Sequence, residues 1–176
     1  MTDFALPKAC NLGRKAIHEM GEDVAKSLGY TPGNDLEPIV KNLGGDITYQ
    51  SLVDLEFSSS GSIEVLNDGE FHIFLAAHTS ELRDRYTIGH ELGHYVLHFL
   101  YPRANGDKID QLRAARYGSG LVEYEANWFA AGFLMPADAF KTAWTEFHGD
   151  LARVADRFKV SLQASEVRAK SLSLLQ

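Results

Sequence analysis

The hydrophobic residues change their spacing twice along this chain, and that limits the folds open to it. Residues 8–28 carry apolar side chains at helical intervals (Leu12, Ala16, Ile17, Met20, Val24, Leu28), and Gly29 suits a helix end. A turn cluster, Tyr30-Thr31-Pro32-Gly33-Asn34, precedes a short helix expected over 36–43. The period then shortens to two. Residues 47–52 alternate like a strand, as do 62–66 and 70–75, with Asn67-Asp68-Gly69 as a hairpin turn between the last two. Helical spacing resumes at Thr79-Ser80, either of which can cap, and is expected to stop before Pro102. A polar connection over 101–120 leads to helices expected at 121–135, 137–147 and 150–175, Pro136 suiting the start of one. Helices, then strands, then helices predict an α+β fold with a small, largely antiparallel sheet of about three strands.

With 176 residues, one domain is expected. Its parts would be N-terminal helices and sheet (1–78), an active-site helix, loop and further helix (79–136), and C-terminal helices (137–176). Cys10 is the lone cysteine, so neither an intramolecular disulfide nor a Cys-only zinc site can form. A net charge of −7 argues against a nucleic-acid coat or a polybasic membrane binder. No window approaches the apolar length of a membrane span, and the N-terminus lacks a basic head followed by an apolar stretch. The expected location is cytoplasmic.

The chemistry is concentrated in Tyr86-Thr87-Ile88-Gly89-His90-Glu91-Leu92-Gly93-His94-Tyr95-Val96-Leu97-His98. Residues four apart share a helix face, so His90 and His94 can each aim a ring nitrogen at one ion. Glu91 is rotated by about 100° from His90, beside the ion rather than on it, where a base acting on water belongs. His98 extends the stripe, but eight residues of straight helix rise about 12 Å, too far for one ion. His98 is therefore read as packed behind the ligands, with ligation as the lesser alternative.

A catalytic zinc ion wants a third protein ligand and one open position. Glu123-Tyr124-Glu125-Ala126-Asn127 offers two carboxylates about 200° apart on a helix. Glu123 is favoured, with Asn127 one turn later able to hold a ligand histidine; Glu125 stays open as the alternative.

These two segments, the first starting at Arg85 and the second running on as Trp128-Phe129-Ala130-Ala131-Gly132-Phe133-Leu134-Met135-Pro136, resemble the ImmA/IrrE zinc metallopeptidase family over about residues 80–165. The resemblance implies a small zincin-like, gluzincin-type fold and one Zn2+ ion. It implies His90 and His94 as ligands, Glu91 as catalytic base, and the glutamate four residues before the amide, Glu123, as third ligand. It also implies a protein substrate, typically a helix-turn-helix repressor of a phage, mobile element or stress regulon. Gly132-Phe133 departs from the family's commoner Glu or Ala followed by Leu, a matter of packing more than chemistry.

Zinc lowers the pKa of a bound water towards about 7. Glu91 would accept the proton of the attacking water and return it to the leaving amine. The oxyanion donor stays open among Tyr86, Tyr95, Tyr117, His78 and His148. The cations of the 101–120 loop (Arg103, Lys108, Arg113, Arg116) could contact an acidic substrate or merely be solvated. Two rival readings remain. One is a metal-bound regulator that does not cut. The other is DNA binding through the locally basic 151–176 tail, which the acidic total disfavours.

Overall fold

The computed structural model describes residues 4–51, 62–114 and 120–176. Its α+β architecture has seven helices and a four-stranded mixed sheet among the described residues. Helices α1 (Arg14–Ser27) and α2 (Glu37–Asn42) precede β1 (Gly45–Gln50), β2 (Ser62–Val65) and β3 (Phe71–Ala76). Helix α3 starts at Glu81–Gly93, widens without a break into a π-helical segment, His94–Leu100, and finishes with one α-turn, Tyr101–Ala104. Strand β4 (Leu112–Ala114) follows, then α4 (Leu121–Leu134), α5 (Ala137–Glu146), α6 (Leu151–Phe158) and α7 (Leu162–Ser171).

The sheet departs from expectation in two ways. Its order is β1-β3-β2-β4, so there are four strands rather than three. β1 runs parallel to β3, with Ile47 opposite Ile73, whereas β2 is antiparallel to β3 and to β4. The hairpin turn forms at Asn67-Asp68-Gly69, where Gly69 adopts φ 91° and Leu66 and Glu70 close the end of the ladder. Leu52, the expected end of the first strand, lies outside the described residues.

Helix α3 also outruns its expected end. Ser80 caps its start by accepting from the Arg83 N–H. Pro102 does not stop it, because the preceding turns are wide: Tyr101 N–H reaches back to the Val96 carbonyl. A wider turn takes the carbonyls ahead of the proline ring out of its path. Residues 101–120 are thus no plain connection, holding a helix end and β4. Two of their cations are engaged, Arg103 over the Phe99 ring and Arg113 with Glu64 and over Phe4. Arg116 lies outside the described residues.

One sheet face, bearing Ile63, Val65, Phe71, Ile73 and Leu75, is buried in the core. Phe71 meets the Tyr95 ring of α3 at 4.3 Å between centroids. α1 packs against α4 through glycines. A Cβ on Gly132 would stand 2.2 Å from the His18 carbonyl oxygen, and one on Gly21 would stand 2.5 Å from that of Phe129. Gly132, the departure from the family pattern, is therefore where two backbones touch.

His18 is buried in this contact. Burial, then the charges of Arg168 and Arg14, push its pKa down to about 4. An unfolded histidine titrates near about 6.5, so across that window the unfolded chain holds more protons than the folded one. The neutral ring's contribution to stability is complete above the unfolded value and falls as the pH drops towards the folded one. His18→Gln is expected to flatten part of the acid loss of Tm in that window. Thermal melts from pH 7 to about pH 4 check this, and an unchanged slope contradicts it.

Candidate metal centre

The site forms where α3 crosses α4, and small residues set how close the helices come. Gly89 and Gly93, one turn apart on α3, face Ala126 and Ala130 on α4. A Cβ on Gly93 would stand 2.9 Å from the Ala126 carbonyl oxygen, and one on Gly89 would stand 3.4 Å from the Ala130 Cβ. Flanking this seam, α3 offers His90 and His94 and α4 offers Glu123 and Asn127. Gly93→Ala is expected to force the helices apart, because what it meets is backbone. The expected loss is about 1–3 kcal/mol of stability together with weaker metal binding. Denaturant titration and metal competition check both, and wild-type behaviour in both contradicts it.

His90, His94 and Glu123 converge. Their ligand atoms all lie within 4.8 Å of one another. His90 Nε2 is 3.0 Å from His94 Nε2 and 3.1 Å from Glu123 Oε2, and His94 Nε2 is 3.5 Å from Glu123 Oε1. Donor atoms on a tetrahedral ion with bonds of about 2.0–2.1 Å stand about 3.3 Å apart, so this cluster fits a metal ion. The His94 side chain is 2% exposed, against 15% for His90 and 19% for Glu123, so the cluster is closed on one side and open on the other.

Each ring is held from behind. Asn127 Oδ1 lies 2.9 Å from His90 Nδ1 and accepts its proton, which leaves the Nε2 lone pair for a metal. His94 Nδ1 lies 3.0 Å from His98 Nδ1, and His98 Nε2 lies 2.9 Å from Glu125 Oε2. Protons on His94 Nδ1 and His98 Nε2 satisfy the whole row. His98 and Glu125 are fully buried. The Glu125 carboxylate also accepts the backbone N–H groups of Cys10 and Asn11, each at 2.9 Å. His98 and Glu125, weighed above as ligands, are both outside the cluster and stand behind His94. The Cys10 and Asn11 donors carry no side-chain signature, so sequence reading missed them.

The electrostatics follow. Burial, then the neighbouring His90 and His98, hold His94 well below the ordinary histidine range, so its ring is neutral as a ligand must be. Burial also works against charge on His90, but Glu123 and Glu91 outweigh it and hold its pKa above the ordinary value. Glu91 is 2% exposed and follows His90 directly on α3. Burial, countered in part by the backbone, pushes the Cys10 thiol up to about 11, so it stays protonated.

The other expected residues separate. Tyr86 is one turn before His90 and donates to the Asn127 carbonyl at 3.4 Å; burial raises its pKa, so the phenol keeps its proton. Tyr95 points away, donating to the Gly69 carbonyl in the β2–β3 hairpin. His78 and His148 are exposed in turns, and Tyr117 lies outside the described residues. Arg85 is a clamp: its guanidinium donates to the Asn34 and Lys159 carbonyls and to the Tyr30 hydroxyl, fixing α3 against both ends of the chain.

Comparison with known proteins agrees with this geometry. The family model described as the IrrE N-terminal-like domain, of the M78 peptidases, matches residues 61–170. A comparison with curated proteins finds no match. Among solved structures, a Mycobacterium tuberculosis transcriptional regulator superposes with a TM-score of 0.63 at 16% identity. The overlap covers 88% of this chain and 46% of that one, so this chain spans about half of the regulator's length. At that identity the likeness shows the fold. The family match spans well over half of the chain and includes the His90, His94 and Glu123 cluster, and the chain belongs to the IrrE N-terminal-like, ImmA/IrrE metallopeptidase family.

Proposed function

We propose that the chain is a zinc-dependent endopeptidase that cleaves a helix-turn-helix transcriptional repressor of a phage, mobile element or stress regulon. One observation carries the chemistry: two imidazole nitrogens and a carboxylate 3.0–3.5 Å apart, with a buried glutamate beside them. Two histidines and a glutamate are a donor set of catalytic zinc. A bound zinc supplies Lewis acidity and a water that is nucleophilic at neutral pH.

The chain's own residues do the rest. Glu91 takes the attacking water's proton on its carboxylate and delivers it to the leaving amine. Asn127 holds His90, and the Glu125–His98 pair holds His94, so neither ring reorients during turnover. Tyr86 lies one turn before His90 on the same helix, with its hydroxyl on the Asn127 carbonyl, and we assign that hydroxyl to the substrate carbonyl.

The substrate class rests on the family, and the transcriptional role of the matched mycobacterial chain is in keeping with it. Such repressors act in the cytoplasm, where we place the protein. No described helix is long and apolar enough to cross a membrane. DNA binding by the tail gains no support. Arg157, Arg168 and Lys170 pair with Glu146, Glu22 and Glu166, and Arg153 lies over Phe147.

The test is incubation with helix-turn-helix repressors from the same genome, beginning with any encoded next to this gene. Zinc-loaded protein should cut it into two fragments seen by mass spectrometry, and a chelator should stop the cut. An intact repressor that still leaves its operator points instead to a regulator that does not cut.

A further inference from the structure

A groove of about 720 Å³ opens beside the metal centre, between the starts of α1 and α3 and the exposed sides of α4 and α7. We infer that it receives a segment of the protein substrate in which large apolar side chains alternate with acidic ones, held outside the bond to be cut. The groove is a binding site on geometric grounds; calling its occupant a substrate segment rests on the peptidase reading.

Three observations carry this. First, the wall is apolar and uncovered. Leu82, Tyr124 and Val167 line it, and all three are among the exposed large hydrophobic residues of the described chain. Tyr124 stacks with Trp128, centroids 6.3 Å apart, making a partly exposed aromatic ledge along one side. A concave apolar surface of this size is an interaction site far more often than bare surface.

Second, its charge has one sign. Arg14 and Arg83 line the groove and are exposed, and among the described residues neither guanidinium is in an ion pair. The third arginine, Arg168, is buried and spent on Glu22 and the Met135 carbonyl. No described carboxylate lines the groove. On a chain of net charge −7, an apolar channel with two unpaired cations selects for a partner with acidic side chains.

Third, the groove borders the metal centre. Asn127, which holds His90, and Tyr86, which bonds to Asn127, belong to its lining. Tyr124 follows the metal-cluster residue Glu123 directly. A peptide lying across the cluster therefore has a path onward over Tyr124 and Trp128 towards the two arginines.

Calorimetry on the zinc-loaded Glu91→Gln protein tests this without turnover. The probes are an acetylated, amidated nine-residue peptide alternating glutamate with leucine, and the same peptide with lysine for glutamate. The acidic peptide should bind at least about ten-fold tighter, and more weakly at high salt. Arg14→Glu with Arg83→Glu should abolish that preference at unchanged metal content. Equal binding of the two peptides, no binding by either, or a preference that survives the double substitution (as direct ligation of the ion by the peptide would) each overturns the inference. A charge-selective groove on a protein that cuts no peptide would sink the peptidase reading alone. Cleavage indifferent to both arginines would sink the groove alone.

Discussion

Glu91→Gln is expected to lower peptide hydrolysis by about 10²–10⁴-fold, the usual contribution of a positioned general base, while metal content stays at one ion per chain. Glutamine keeps the shape of the buried side chain but cannot take a proton. His90, His94 and Glu123 are untouched, as are Asn127, His98 and Glu125 behind them, so the ion's surroundings persist. Cleavage rate and bound metal, measured on the same preparation, separate loss of the base from loss of the site. A variant that keeps both its metal and full activity removes Glu91 from the mechanism.

Glu125→Ala is expected to act through a different route, and this separates the two carboxylates of α4. Glu125 accepts from His98, with which it is fully buried, and from two part-buried backbone N–H groups in the N-terminal segment. Removing it leaves one buried donor, on His98, and two part-buried ones without their acceptor. The expected loss is about 3–5 kcal/mol of stability, or roughly 6–20 °C in Tm for a chain of this size. Metal affinity should also fall by about 10–100-fold as His98 ceases to orient His94. Glu123→Ala should do the reverse: Glu123 is partly exposed and, among the described residues, bonds only within the cluster, so metal is lost with little change in the metal-free melt. Metal affinity and the metal-free Tm for both variants check this. A Glu125→Ala protein that melts like wild type without metal contradicts it.

What the sequence made legible follows from which interactions are local. Periodicity locates helices and strands because it records one face of each element. It does not record pairing direction, so β1, which reaches β3 in parallel, reads like any antiparallel strand. β4 has three residues, Leu112-Arg113-Ala114, too few to show alternation. Pro102 reads as a stop signal only if the helix before it is α-helical, and the π-helical turns remove that condition. In the site, the spacing of His90, Glu91 and His94 on one helix is legible from the chain alone. The spacing of Glu123 and Asn127 likewise favours the carboxylate that joins the histidines. The small-residue seam of Gly89, Gly93, Ala126 and Ala130 was also open to reading, as two pairs at four-residue intervals beside the ligands. The support of Glu125 was not. Its partners at Cys10 and Asn11 are backbone groups more than a hundred residues away, and any residue but proline supplies an N–H.

The central claim is that His90, His94 and Glu123 hold one catalytic ion, with Glu91 beside it and Glu125 behind it. Anomalous diffraction at the zinc edge, from crystals grown with zinc, tests it most directly. The expected result is one strong peak about 2.0–2.2 Å from His90 Nε2, His94 Nε2 and a Glu123 carboxylate oxygen, with His98 and Glu125 still bonded to each other. A peak between His98 and Glu125, or zinc bound elsewhere with the three-residue cluster empty, would contradict it.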